Sequence, residues 1–342
     1  MADEGTKKAT PTIYDVARAA GVAPSTVSRA FARPGRVNSE TAARIRAIAT
    51  ELGYRANPVA RALSTSHTRM IALMISDVTN PFYAPLIRGA QVAAGEAGFV
   101  VLLEDAQESA QIEREGLERV LPVVEGIVIG SSRMSDSALR TIAKQTPMVV
   151  LNRAVADVPS VVTDNARGMR RAVEHLGSIG HRTITYVAGP EASWADGVRW
   201  QALREAGMEL ELAIRRVGPF PPTVGGGVRA AVDVAAQGST GVIAYNDQMA
   251  IGVMRGLEAA GLRVPQDRSV IGFDDIFAAQ LVSPPLTTVA APLHMMGMTA
   301  VRNLLAITKG ARPESGRPFV MPTRLIVRAS TGPCSTRVRV GA

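Results

Sequence analysis

A single cysteine, Cys334, stands in the 342 residues. An intramolecular disulfide framework is therefore excluded, and a reducing compartment fits. The four histidines, His67, His175, His181 and His294, show no metal-ligand spacing with one another or with Cys334. Aromatic residues are scarce, at 2 Trp, 5 Tyr and 7 Phe, so each one in a loop invites an explanation. No apolar run approaches the roughly 20 residues needed to cross a bilayer. The opening MADEGTKKATP lacks the apolar stretch of a secretory signal, and a cytoplasmic location with no membrane partner is expected. Familiar catalytic patterns are missing too. Gly225-Gly226-Gly227 does not directly join a strand to a helix, and no Gly-Lys-Ser/Thr follows it. GSIGHR (177–182) has no serine between glycines at nucleophile-elbow spacing. No enzyme, cofactor or metal site is expected.

What is present suits a soluble protein with an ample core: 46% of residues are hydrophobic and 20% charged. The length suggests two or three domains. The net charge of +8 is unevenly placed. Residues 1–69 hold 11 Lys and Arg against 5 Asp and Glu, a net of +6, and the other 273 carry only +2. A basic small N-terminal part joined to a nearly neutral large one reads as nucleic-acid contact confined to one end.

That basic part has a recognisable plan. TIYDVARAAGVAPSTVSRAF opens with an apolar stripe (Ile13, Val16, Ala17, Ala20), turns at Gly21, and resumes with Val27, Ala30 and Phe31. Thr12 is a candidate N-cap, with Asp15 three residues on completing a capping-box-like pair. Gly21 can supply the positive φ of a helix end. Pro24 fits the first position of the next helix, where its missing N–H costs nothing. The product is a helix-turn-helix, whose second helix lays its N-terminal end in the major groove. A third amphipathic run, Ser39 to Leu52 (Ala43, Ile45, Ile48, Ala49, Leu52), completes a three-helix unit. Next, GYRANPVARALST holds eight residues of helical pattern from Asn57 to Ser64, too short to form without a packing partner.

From Met70 the pattern changes to short apolar runs alternating with amphipathic stretches. Strands are predicted over 70–75, 99–104, 126–130 and 147–152, with helices over 82–97, 109–121 and 135–144 between them. A second set begins near Val161, with strands over 182–188, 212–217, 241–245 and 269–273. Its helices fall over 165–178, 194–206, 225–236 and 247–260. Such alternation argues βαβ units and parallel sheets with helices on both faces. Ligands in such sheets bind beyond the carboxyl ends of the strands, so two facing sets would enclose a cleft.

The ordered combination closely resembles the lac repressor (LacI/GalR) family of transcription regulators. The residues that carry the resemblance begin with I13-Y14-D15-V16-A17, A20-G21-V22, T26-V27-S28-R29, L52-G53-Y54 and N57-P58-V59-A60-R61-A62-L63. They continue through N80-P81-F82-Y83, G189-P190, N246-D247-Q248-M249-A250 and G272-F273-D274-D275, over nearly the whole chain. The resemblance implies an all-α helix-turn-helix headpiece and an α/β core shaped as a two-subdomain, periplasmic-binding-protein-like clamshell with parallel sheets. It further implies that a helix near 292–308 returns to the first subdomain and RLIVRAS (324–330) to the second. The expected divisions are a disordered arm (1–11), the headpiece (12–55), and a hinge helix with its linker (56–68). The core would comprise an N-subdomain (69–163 with 291–320) and a C-subdomain (164–290 with 321–332), before a tail (333–342).

DNA contact is expected first from Pro24, Ser25, Thr26, Ser28 and Arg29 at the start of the second helix. Bidentate pairing of Arg29 with guanine would give specific readout, and phosphate contact alone is the plainer alternative. Pro24 and Ala23 depart from the family, where polar side chains are common at these places. Thr12, Tyr14, Asn38 and Tyr54 complete the headpiece set implied by the resemblance. In the hinge, Asn57, Ala60 and Arg61 would touch backbone or groove, and Leu63 matches the family's minor-groove wedge, the plainer alternative being a leucine on the apolar face of an ordinary connecting helix. For the cleft, Asp77, Arg199, Phe220, Asn246 and Asp274 match ligand-contacting positions of the family. Phe82, Tyr83 and Trp194 join them as aromatics in loops after strands. Arginine forks and carboxylates suit paired sugar hydroxyls. Structural readings stand beside these: Asp274 as a turn cap, Asn246 as the cap of the helix from Asp247, and Phe220 as cover for the core. Asn152 and Arg153 stand where Asp–Arg is common in relatives.

The resemblance therefore implies a homodimeric regulator, of the repressor type, on a pseudo-palindromic double-stranded operator. A small-molecule effector, a sugar before a purine, would control it; the alternative is a ligand-independent DNA-binding protein whose cleft residues are structural. The tail CSTRVRVGA has no leucine heptad to join dimers into tetramers.

Overall fold

In the computed structural model, residues 11–32, 35–54, 67–311 and 317–334 are described. Two compact units divide after Arg69.

The first unit holds α1 (Ile13–Ala20), α2 (Pro24–Ala32) and α3 (Ser39–Glu51). The Asp15 carboxylate accepts from the Thr12 backbone N–H at 2.9 Å and from its hydroxyl at 2.7 Å, which fixes the start of α1. Gly21 ends the helix at φ +62°, a conformation that costs glycine nothing. Pro24 opens α2 as the sequence predicts. The core of the unit is Val16, Ala17, Ala20, Val27, Ala30, Ala42, Ile45 and Ala49. Ala42, not Ala43, carries the α3 stripe. Ala42, Ile45 and Ala49 fall three and four residues apart on one face, which turns Ala43 to solvent.

The second unit begins with β1 (Met70–Ile75), α4 (Tyr83–Glu96), β2 (Val100–Asp105), α5 (Ala110–Val120), β3 (Ile127–Gly130), α6 (Asp136–Ala143), β4 (Met148–Leu151) and β5 (Ser160–Thr163). It continues with α7 (Asn165–Ser178), β6 (Thr183–Val187), α8 (Trp194–Glu209), β7 (Ala213–Val217), α9 (Val224–Ala236), β8 (Gly241–Ala244), α10 (Asp247–Ala259) and β9 (Ser269–Asp274). The chain then runs through α11 (Ala278–Leu281), β10 (Thr287–Ala290), α12 (Leu293–Thr308), β11 (Phe319–Met321) and β12 (Arg324–Ile326). Two six-stranded sheets result, in the orders β11-β5-β4-β3-β1-β2 and β12-β10-β9-β8-β6-β7. Each pairing between these strands is parallel except β10 with β12, which is antiparallel. Strands β3, β4 and β8 are buried along their whole length, the continuous apolar signature of parallel sheets covered on both faces.

The returns implied by the resemblance are both present: α12 packs against α4 beside the first sheet, and β12 joins the second. The first sheet keeps Met321, so its last strand ends one residue past the expected division at 320. Hydrogen bonds tie the crossing segments together. Asp164 N–H donates to the Met321 carbonyl at 2.8 Å, and the Thr323 hydroxyl donates to the Asp164 carbonyl at 2.9 Å.

Helix starts are fixed by side chains at strand-to-helix turns. Asp164, Ser193, Thr223 and Asn246 each accept an N–H from the first turn of the helix that follows. These caps bring the α7, α8, α9 and α10 N-termini to the ends of neighbouring strands. Among the described residues, no helix is long and apolar enough to cross a membrane. No group of three His, Cys, Asp or Glu side chains among them is placed to hold a metal ion.

Candidate ligand cleft and nucleic-acid interface

The strand ends facing each other across the two sheets are built from strained backbone. Gln107, Glu108, Ser131, Asn152, Asp274 and Asp275 all have positive φ, from +48° to +122°. They sit at or just beyond the ends of β2, β3, β4 and β9. Non-glycine residues rarely adopt such angles, and they persist where surrounding structure holds them.

On the second sheet's side, Arg199 is 2% exposed. Its Nε donates to Asn165 Oδ1 at 2.8 Å and its Nη1 to the Tyr245 carbonyl at 2.5 Å. The guanidinium carbon lies 3.6 Å from the Phe273 ring centroid, a close cation–π contact. Nη2 approaches Asp274 Oδ1 at 3.8 Å, an ion pair without a hydrogen bond. Among the described residues nothing donates a hydrogen bond to the Asp274 carboxylate, though it is only 7% exposed. Burial pushes its pKa well above the ordinary carboxylate value, with Arg199 opposing and Asp247 adding to the rise. A buried carboxylate with open acceptor positions is costly unless a ligand supplies the donors.

Behind it, Asp247 is fully occupied. The Ile276 N–H donates to one oxygen at 2.8 Å and the Thr288 hydroxyl to the other at 2.5 Å. A Cβ on Gly272 would stand 2.1 Å from Asp247 Oδ1, so the glycine of G272-F273-D274-D275 makes room for that carboxylate. Burial raises the Asp247 pKa to about 7. The folded state therefore keeps a proton, above the ordinary 3.8, that the unfolded chain releases. Stability from this group is full below that lower value and is lost as pH rises through about 7. His175 and His181 act in the opposite sense, since burial lowers their pKa values. The expected result is that Asp247→Asn flattens the fall in stability across pH 5 to 7.5 by a few kcal/mol relative to the parent. Urea denaturation of both proteins at each pH measures it, and parallel curves would refute it.

The first sheet contributes a second charged pair. Arg133 donates to Glu108 Oε2 through Nε at 2.8 Å and Nη2 at 2.5 Å. Ser76 donates to Glu108 Oε1 at 2.8 Å and stands 2.8 Å from the Tyr83 hydroxyl. Burial holds the Tyr83 pKa at about 12. The buried Glu113 carboxylate anchors the loop by accepting the Arg133 backbone N–H at 2.9 Å.

Ser76, Glu108 and Arg133 line one cleft with Phe82, Tyr83, Arg199, Asn246 and Asp274 from the sequence expectation. Trp194 borders a smaller adjoining hollow. Asp77 and Phe220 are not among the lining residues. Asp77 instead caps its own loop, accepting from the Thr79 N–H and hydroxyl, while Phe220 packs against the core. Asn246 lines the cleft yet has both amide ends engaged, by Met249 N–H and the Pro222 carbonyl. Sequence reasoning did not select Ser76, Asn80, Glu108, Ser131, Arg133 or Tyr245, which also line the cleft. The available signal was polar residues just past each predicted strand end. The space left in the cleft is about 20 Å3, room for roughly one water and far too little for a sugar.

In the first unit, Tyr14 is 66% exposed, and Thr12, Ser25, Arg29 and Asn38 are also exposed. Pro24, Thr26 and Ser28 are half-buried at the start of α2. Asn38 caps α3 by accepting the Glu40 N–H at 2.9 Å. Tyr54 packs its ring 6.0 Å from that of Phe31, a role in the core of the unit. Asn57, Ala60, Arg61 and Leu63 lie outside the described residues.

Comparison with known proteins agrees with this arrangement at both ends of the chain. Residues 12–57 match the model for bacterial regulatory proteins of the lacI family, and residues 173–331 match a periplasmic binding protein-like domain. The transcriptional regulator DegA of Bacillus subtilis is 34% identical, over 95% of this chain and 99% of that protein. A lac repressor dimer bound to operator and the anti-inducer ONPF superposes with a TM-score of 0.84 at 26% identity, covering 94% of this chain and 99% of that one. A complex of the transcriptional regulator CelR with cellobiose gives a TM-score of 0.70 at 31% identity, covering 94% and 99%. This chain belongs to the lacI family of bacterial regulatory proteins.

Proposed function

We propose that this chain is a homodimeric, sequence-specific DNA-binding transcription regulator, of the repressor type, and not an enzyme. A sugar bound in the cleft between the two sheets sets its operator affinity. The observation that carries the sugar reading is the buried Asp274 carboxylate with no hydrogen-bond donor among the described residues, 3.8 Å from Arg199. A vicinal diol satisfies both, donating to Asp274 and accepting from Arg199. Two guanidinium groups and two carboxylates line the cleft, which favours a neutral ligand. The relatives point the same way: one superposing structure carries operator DNA, and another carries cellobiose.

With about 20 Å3 available, the sheets must part for a sugar to enter. A ligand that binds one degree of opening better than another shifts the population between them. The dimer's symmetry would be mirrored in a pseudo-palindromic operator, read by Ser25, Thr26, Ser28 and Arg29 on α2. Whatever factor the sugar imposes on operator affinity, the operator imposes on sugar affinity.

Fluorescence anisotropy on an enriched palindromic site, at fixed salt, tests this across a panel of sugars and purines. One neutral sugar is expected to change operator affinity at least about tenfold, and Asp274→Ala to remove that response while DNA affinity stays. DNA binding that no compound shifts would refute the effector reading, and absence of sequence-selective binding would refute the regulator.

A further inference from the structure

A second, wider groove of about 450 Å3 lies away from the cleft, between α7 and the edge strand β12. Along α7, Arg167, Arg171, Glu174 and His175 follow one another at helical spacing on one wall, and Arg324 and Leu325 stand on the other. The charges do not balance. Glu174 already accepts from Arg170 and Arg171, at 3.1 and 3.0 Å. Arg167 and Arg324 are exposed and have no ion pair with any described residue. Arg167 also sits in the first turn of α7, where the one carboxylate, that of the Asp164 cap, accepts the Arg167 backbone N–H and forms no ion pair with its guanidinium. The helix dipole disfavours a cation there, and Arg171 repeats the charge four residues on. Two guanidinium groups without a carboxylate partner, Arg167 and Arg324, line the groove with a third, Arg171, that shares Glu174 with Arg170, an arrangement that an anion would stabilise.

The groove does not end there. Arg324 and Thr323 also border a hollow of about 310 Å3 whose other walls include Ala290, Ala291 and Pro292. Its one carboxylate, Asp275, is neutralised by Arg328 at 2.6 Å. A cationic end therefore continues into an apolar one.

We propose that this groove binds a small phosphorylated metabolite, with its phosphomonoester held by Arg167, Arg171 and Arg324 and its body lying toward Ala290–Pro292. Arginine forks match phosphate oxygens in pairs. Thr323, on a segment that crosses between the two sheets, lines the groove beside Arg324 and is fixed by its hydroxyl's bond to the Asp164 carbonyl.

Isothermal titration calorimetry on the full chain tests this with glucose 6-phosphate, glucose and inorganic phosphate. Glucose 6-phosphate should bind, glucose should not displace it, and inorganic phosphate should compete. The double variant Arg167→Gln/Arg324→Gln should weaken binding at least about tenfold, and either single variant less. Because both side chains are exposed, the variant should keep the parent's circular dichroism and its response to the cleft sugar. Asp274→Ala should leave glucose 6-phosphate binding intact, which separates this groove from the cleft. The proposal is overturned by absence of binding, by binding indifferent to the double variant, or by binding lost with Asp274→Ala.

Discussion

Arg199→Ala is expected to destabilise the core by about 3–5 kcal/mol and to weaken effector binding by about 100-fold or more. One guanidinium holds together four groups from the start of α7, the segment after β8, and β9. It accepts its place from Asn165 at the start of α7, the Tyr245 carbonyl after β8, the Phe273 ring in β9 and the Asp274 carboxylate. Truncation leaves Asp274 buried beside Asp247 with no compensating cation, and leaves a cavity against Phe273. Asp274 would then answer by protonation, since burial already pushes its pKa upward. Arg199→Lys separates the parts: it keeps a charge near Asp274 but loses the planar fork that spans Asn165 and Tyr245. Stability in Arg199→Lys should therefore fall between the parent and alanine, while effector affinity stays close to that of alanine. Urea denaturation followed by circular dichroism gives the first quantity, and titration calorimetry with the sugar found by anisotropy gives the second. A fully stable, fully responsive Arg199→Ala protein would refute the central role of this side chain.

Much of the frame is legible in the sequence. Long apolar runs such as MIALMI predicted β1, and the capping pair Thr12–Asp15 with Gly21 predicted both ends of α1. The strands that escaped, β5, β10 and β11, are three or four residues long. Length alone is not the reason, since β3, β4 and β8 are equally short; SVVT and TTVA offer only two apolar residues each and FVM is one residue shorter, so neighbouring strands supply the ladder that holds them. For the cleft, position in the chain located Arg199 and Asp274, but it could not show what occupies their hydrogen bonds. Asp77 spends its carboxylate on Thr79 two residues on, the local side-chain-to-backbone bond that Asp readily makes in a turn. Arg133 and Glu108 stand 25 residues apart in loops after different strands, so only the sheet order brings them together.

Glycine shows most clearly what only the packed structure reveals. Gly227 in α9 and Gly252 in α10 face one another where the two helices cross with their backbones touching. A Cβ on Gly252 would lie 2.1 Å from the Val224 carbonyl oxygen and 2.8 Å from Gly227 Cα. A Cβ on Gly227 would lie 2.1 Å from the Met249 carbonyl oxygen. The first sheet repeats the device on α4 and α12, where Gly89 and Gly297 would meet the His294 and Leu86 carbonyls at 2.0 and 2.1 Å. The obstacles are backbone atoms, which cannot swing aside as a side-chain tip would. Gly252→Ala must push the helices apart and is expected to cost about 3 kcal/mol or more, at the upper end of overpacking changes. It should also disturb the cleft, because Asn246, which lines it, caps α10 and holds the Pro222 carbonyl just before α9. Gly197, inside α8, is the opposite case: a Cβ there meets nothing within 4 Å. Gly197→Ala is expected to stabilise by about 0.5–1 kcal/mol, as alanine does for glycine in a helix interior. The same one-methyl change should therefore move stability in opposite directions at two helical glycines that sequence alone does not distinguish. Urea midpoints of the two variants beside the parent decide it, and equal shifts would refute the close approach of α9 and α10.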